Sequence, residues 1–399
     1  METSHKPLEL FHALPPQAPA DAPPPPSAFE GFSSILTHFD AGYFRISLSL
    51  CGQALLWRTL CGGGGDGDGD EHMQPRALGA LARHLPPAAS VLLWSLALLS
   101  LVALTALYAA RCLLRFAAVR AEFRHRIAVN YLFAPWASWL LLLQSAPSSL
   151  LSPGAAPRRV LWCAFAAPVL ALDVTVYGQW FTEGRTALSM AANPTGHITV
   201  VANLVTARAA AELGWREGAV AVFAVAVAHY AVLFVTLYQR LLGANALPAM
   251  LRPVFFLFFA APSMASLAWG AISSSFDTAC KMLFFLSLFL FASLVSRPTL
   301  FRRAMRRFSV AWWAFPFPLT ALAVASVEYA REVEDHAAVV LVLVLSALSV
   351  VVTVAVVVCT AIRTSDLLPH GDDDPLPCAS SSVMVPLDAF TGSIVSSCV

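Results

Sequence analysis

The residues with the most chemical content lie in one apolar stretch, Phe308 to Val324, reading FSVAWWAFPFPLTALAV, where Phe317 is held between Pro316 and Pro318. Proline lacks a backbone donor and bends a helix. Inside lipid a freed carbonyl persists only where protein or a water-filled cavity satisfies it. A helix broken here is therefore expected to face an interior. Ser309, Trp313, Phe317 and Thr320 recur at steps of three or four residues and share one face. The chemistry open to such a face is that of a gated ion path, with an aromatic ring as plug and hydroxyls and helix-end dipoles replacing part of an ion's hydration. An aromatic in an apolar helix also serves plain packing, and spacing alone leaves that alternative standing.

The remaining polar groups in apolar surroundings are few. Asp173 is the one acid deep in such a segment; it is expected to partner a hydroxyl or backbone group of a neighbouring helix, with a proton-linked or gating role as the alternative. His229 and Tyr230 are expected to hydrogen-bond locally, and His197 to sit at a helix end or a pore mouth. Arg208 and Glu212, four residues apart, are expected to pair at the outer membrane surface, and Arg45 to snorkel. No segment carries a ring of charge at one depth, which argues against a carboxylate site for cations. A narrow lining of hydroxyls, amides and aromatic rings suits large, weakly hydrated anions such as nitrate or chloride. No Ser/His/Asp or Cys/His set, phosphate loop or HExxH sequence is present, so neither an enzyme nor a cofactor is expected. The cysteines at 51, 61, 112, 163, 280, 359, 378 and 398 show no Cys-x-x-Cys pairing or metal spacing with histidine. They read as small apolar residues.

The elements that must position these groups are membrane helices. Of 399 residues, 58% are hydrophobic and only 12% charged, against about 25% charged in soluble domains, so the chain reads as an all-α polytopic membrane protein. The net charge of +1 identifies no partner class, and nucleic acid is not expected. Residues 1–40, with seven prolines between Pro15 and Pro26, read as a disordered tail rather than a cleavable signal. Apolar segments follow at Tyr43 to Leu60, Ala88 to Ala110, Ile127 to Gln144, Val160 to Phe181 and Pro194 to Glu212. They continue at Gly218 to Leu237, Pro253 to Ile272, Lys281 to Val295, Phe308 to Val324 and Ala337 to Ile362. The expectation is thus one membrane domain of ten transmembrane helices at 41–362, followed by a tail at 363–399.

Loop charge orients these spans. Arg111, Arg115, Arg120, Arg124 and Arg126, then Arg185, Arg240 and Arg252, then Arg297, Arg302, Arg303, Arg306 and Arg307 follow even-numbered spans. Glu328, Glu332, Glu334 and Asp335 follow the ninth. The positive-inside rule places the arginine-rich loops, and hence both termini, in the cytosol. Arg158 and Arg159 oppose that assignment and are outnumbered.

Odd-numbered spans carry polar stripes at helical spacing: Arg45, Ser49, Gln53; Asn130, Ala134, Ser138; Thr199, Asn203, Thr206; Ser263, Ser266, Ser273; and Ser309, Thr320. Helix breakers accompany four of the five, at Gly52, Pro135, Pro262 and the Pro316/Pro318 pair. Even-numbered spans are mostly Leu, Val, Ala and Phe, although Pro168 and Asp173 interrupt the fourth and Ser346, Ser349 and Thr353 stripe the tenth. This alternation predicts five helical hairpins whose inner members surround one central path.

Six segments carry a family resemblance: GYFRISLSLCGQALLW from Gly42, NYLFAPW from Asn130, ANPTGHITVVANLV from Ala192, AHYAVLFVTLYQRL from Ala228, FFAAPSMASLAW from Phe258 and FSVAWWAFPFPLT from Phe308. Over Phe39 to Ile362 the chain resembles the plant slow-type (S-type) anion channels and their bacterial tellurite-resistance/dicarboxylate transporter relatives. The resemblance implies five hairpins around a pore in each subunit, a homotrimer, and passive efflux of chloride and nitrate at the plasma membrane. It also implies a pore-occluding phenylalanine in the ninth helix, in an AWWxxxFP pattern that falls on Phe317 and Pro318. Ser49, Gln53, Phe133, Pro135, Asn203, Pro262, Ser263, Ser266, Trp313, Pro318 and Thr320 are then the candidates for pore lining or helix kinks. Two features depart from the pattern. The tails are short, leaving Ser4 and Ser27 as candidate sites for a protein kinase and suggesting the shorter homologues, which raises the alternatives of a modulatory subunit in a heteromer with a longer channel and of a proton-coupled carrier. Pro316 is an extra proline beside the plug.

Overall fold

The computed structural model describes residues 35–37, 39–61, 86–125, 127–152, 155–183, 193–242, 249–302, 305 and 308–364. The expected tails fall mostly outside these residues, as do Ser4, Ser27 and the Gly/Asp-rich loop after Cys61; within the first 40 residues, Leu36 and Phe39 are buried. The described residues form helices and turns, with no strand among them.

Each of the ten expected apolar segments contains a helix. They are α1 Arg45–Leu60, α2 Pro87–Leu114, α3 Ala134–Gln144, α4 Ala156–Glu183 and α5 Gly196–Glu212. Then come α6 Arg216–Leu242, α7 Leu257–Ser273, α8 Thr278–Val295, α9 Pro316–Val333 and α10 His336–Ile362. Two shorter helices, Phe116–Arg124 and Ala128–Tyr131, precede α3. Seven helical segments are long and apolar enough to cross a bilayer, or eight if the bent pair Phe116–Arg124 and Ala128–Gln144 is one span. The two that fall short, α1 with 16 residues and α5 with 17, are almost wholly enclosed by other helices.

Packing divides the helices into two layers. The apolar windows containing α7 and α9 are 78% and 83% buried, whereas those of α2, α4, α6, α8 and α10 are between 11% and 39% buried. Leu and Val side chains of the second group, such as Leu92, Leu99, Val174, Val235, Phe289 and Val351, point away from protein, as lipid-facing helices require. The inner helices close a ring: α1 packs on α3, α3 on α5, α5 on α7, α7 on α9, and α9 back on α1. Each outer helix packs on the inner helix before it and also touches the next one round the ring, so α2 covers the α1/α3 seam and α10 the α9/α1 seam.

The prolines act differently from a mid-helix break. Phe308 to Val324 is not one bent helix. Ser309 is extended, Val310–Ala314 form a 3₁₀ turn, and α9 starts at Pro316. Pro316 and Pro318 therefore stand in the first turn, where backbone donors have no intrahelical partner and proline costs nothing. Pro135 likewise starts α3. Pro262 and Pro168 do lie inside α7 and α4.

Candidate functional site

Phe317 points inward from the first turn of α9 and is 2% exposed. Its ring rests on α1 at Gly52, where a Cβ would come within 3.2 Å of Phe317 Cδ2 and 3.5 Å of Thr320 Cγ2. A side chain at residue 52 would push the ring back by a few tenths of an ångström, and glycine lets it lie against the helix. The turn that carries the ring is clamped. Thr320 Oγ1 donates to the Pro316 carbonyl at 2.9 Å, Gln53 Nε2 donates to Thr320 Oγ1 at 2.9 Å, and Gln53 also reaches Ser349 Oγ at 2.7 Å and Thr353 Oγ1 at 2.8 Å. One amide thus ties α1 to α9 and α10.

Neighbouring aromatics are engaged elsewhere. Phe315 packs edge-on against Phe256 at 4.7 Å between centroids, in a cluster with Phe301. The Trp313 indole donates to Thr360 on α10 at 3.1 Å, and its carbonyl accepts from Ser49 at 3.2 Å. Phe317 is the one of the three that lines the space inside the ring.

That space is a nearly filled cavity of about 10 Å³ bounded by Gly52, Leu55, Leu141, Met264, Leu267, Phe317, Thr320, Ala321 and Val324. Four of the five inner helices contribute, and apart from the Thr320 hydroxyl the lining side chains are apolar. A second cavity, of about 290 Å³, opens at the C-terminal ends of α5, α7 and α9 and is lined by Arg208, Glu212, Leu267, Gly270, Ala271, Ser274, Ser275, Phe276 and Glu328. Leu267 belongs to both. The larger, polar cavity (the mouth) and the smaller, apolar one (the throat) thus have one wall residue in common, and Phe317 stands in the wall of the throat.

Most of the polar stripe residues meet other helices instead. Ser263 hydrogen-bonds Ser287, and Ser266 donates to the Cys280 carbonyl at 2.8 Å, both on α8. Asn203 Nδ2 donates to Asp173 Oδ1 on α4 at 2.9 Å, so the acid has a neighbouring-helix partner, a side-chain amide in place of the expected hydroxyl or backbone group. Ser47 donates to Ser138 at 3.1 Å, joining α1 to α3. Asn130 Nδ2 donates to Thr195 Oγ1 at 3.1 Å. Phe133, fully buried, and Pro135 form the turn into α3. Arg45 Nε donates to the Gly42 carbonyl at 2.8 Å and its guanidinium lies 5.0 Å over the Tyr131 ring. Arg208 and Glu212 pair at 3.1 Å as their spacing predicts, and His197 Nδ1 lies 3.1 Å from the Pro194 carbonyl at the start of α5.

Periodicity did not single out the throat residues Leu55, Leu141, Met264 and Leu267. For three of them the available signal is the step from residues already marked: Gly52 to Leu55 and Ser138 to Leu141 are three apart and Ser263 to Leu267 four, whereas Met264 has no such step.

Residues 38–361 match the SLAC1 family, described as voltage-dependent anion channels. Two relatives from Arabidopsis thaliana, the S-type anion channels SLAH1 and SLAH4, are 52% and 51% identical over 337 and 335 residues, which is 84% of this chain in each case and 84% and 86% of theirs. The guard cell S-type anion channel SLAC1 of the same plant is 38% identical over 82% of this chain and 56% of its own length. With the match running through every helix of the ring and its outer layer, the chain belongs to the SLAC1 family of anion channels and is a multi-pass membrane protein.

Proposed function

We propose that the chain is a slow-type channel that passes chloride and nitrate through the ring of α1, α3, α5, α7 and α9, and that Phe317 occludes it. The observation that carries this reading is the Phe317 ring on Gly52, in the wall of a throat shared by four inner helices. An apolar constriction blocks ions by dewetting, and displacing one aromatic ring reopens it. Ten spans follow if α1 and α5 also cross. Their short apolar lengths suit helices that meet protein on all sides instead of lipid. Arginine-rich loops then lie in the cytosol with both termini, at the plasma membrane, and the subunits assemble as a homotrimer.

The test is voltage clamp of oocytes expressing the chain alone. Phe317→Ala is expected to raise chloride and nitrate current several-fold at equal surface expression, and an unchanged current argues against the plug. The near full-length match to SLAH1 and SLAH4, against 56% of SLAC1, favours a second reading for the wild-type chain as a modulatory subunit that conducts little alone. Current that appears only on co-expression with a longer relative selects that reading.

A further inference from the structure

We propose that Arg58, Arg158 and Arg208 form a binding site for a small monovalent anion at the mouth of the path, built around the single carboxylate of Glu212. The site rests on the reading of the ring as an anion path and gives that path an entry station. Three helices converge there: Arg58 ends α1, Arg158 begins α4, and Arg208 and Glu212 end α5. Glu212 accepts from Arg208 Nε at 3.1 Å and lies 3.6 Å from Arg158 Nη2. Arg58 feels the charges of Arg158, Arg208 and Glu212, and its Nη1 donates to the Ala146 carbonyl.

Two guanidiniums, Arg158 and Arg208, pair with one acid, and the charge of Arg58 acts on the same group, leaving a surplus of two positive charges. The nearby Glu328 does not compensate them, because Arg331 holds it at 3.0 Å. The side chain of Arg158 is only 7% exposed, yet its Nη1 is buried and makes no hydrogen bond; Arg208 Nη1 is in the same state. A buried cationic donor without an acceptor is costly, and converging like charges add to that cost. An anion relieves both. Arg208 and Glu212 line the mouth cavity of about 290 Å³, and Leu267 lines both that cavity and the throat, so an anion held at Arg208 stands beside the constriction. The fixed fork of guanidinium donors suits a planar oxyanion such as nitrate as well as chloride.

The experiment uses the full chain carrying Phe317→Ala in oocytes, with current followed against external chloride, and chloride binding measured on the purified full chain with radiolabelled chloride. Arg158→Gln is expected to raise both the half-saturating chloride concentration and the dissociation constant by roughly tenfold, the loss of one charged hydrogen bond. Arg158→Lys is expected to recover part of this, and Arg159→Gln, an exposed neighbour, to change neither. Arg208→Gln serves as the second variant should Arg158→Gln fail to reach the surface. Unchanged saturation and binding in both glutamine variants, with the Phe317→Ala current intact, overturns the site and leaves the channel standing. Absence of current even with Phe317→Ala defeats the channel reading, and the binding measurement then decides the site by itself.

Discussion

At the residue scale, the proposed occlusion rests on a contact between one ring and one missing side chain. Because an added Cβ at residue 52 falls 3.2 Å from the Phe317 ring, volume at either position fills the same space. Gly52→Val placed on Phe317→Ala is therefore expected to reduce the enlarged current again, measured by voltage clamp with surface labelling as control; a double variant that conducts like Phe317→Ala separates the two residues. The Pro-Phe-Pro sequence marks the region but does not distinguish Phe317 from Phe315 or Trp313, since all three are aromatic and near one another. Their separation depends on partners remote in sequence: Phe256 and Phe301 for Phe315, Thr360 for Trp313, Gly52 for Phe317. Nothing local in the stretch encodes those partners, whereas the family pattern points to the residue directly.

At the element scale, the division into inner and outer helices was readable from the polar stripes, but the stripes do not face where they were expected to. Ser263, Ser266 and Asn203 bond outward to α8 and α4. Helical spacing reveals which residues share a face and is silent about what lies opposite, and polar groups serve helix packing in membranes as readily as they line a path. Gln53 makes the densest of these links. Gln53→Leu is expected to lower the stability of the detergent-solubilised protein by about 1–2 kcal/mol, read from thermal unfolding, while Ser273→Ala, at the rim of α7, stays near wild type. The α7–α8 hairpin depends on Asp277, which caps α8 by accepting from Cys280 N at 3.1 Å and also accepts from Trp269 Nε1 at 3.0 Å. The bond from Trp269 holds the Asp277 carboxyl below its ordinary range. A depressed carboxyl stabilises above the unfolded value and loses that contribution as pH falls through the folded one. Asp277→Ala is expected to cost about 1 kcal/mol near neutral pH, and the difference from wild type to vanish in acid below the carboxylate range.

At the scale of the whole molecule, among the described residues, each of the five inner helices is covered by two outer ones, and the proposed path runs through the ring's interior. The number of apolar segments and their pairing were legible because lipid demands long apolar helices on the outside. The closure of α9 onto α1 was not, since the ends of a ring are the most distant pair in sequence. The polar network crossing α4 and α5 through Asp173 and Asn203 lies off the axis, so Asp173→Asn is expected to leave the pH dependence of anion flux unchanged; a shift in that dependence favours a proton-coupled carrier. The central claim is that side-chain volume at one position in the throat sets conduction through a single chain's ring. Its most direct test is current through channels bearing Ala, Val, Leu and Trp at residue 317, normalised to surface protein. The account predicts a graded fall in chloride and nitrate current as volume increases from Ala to Trp, and current independent of that volume would contradict it.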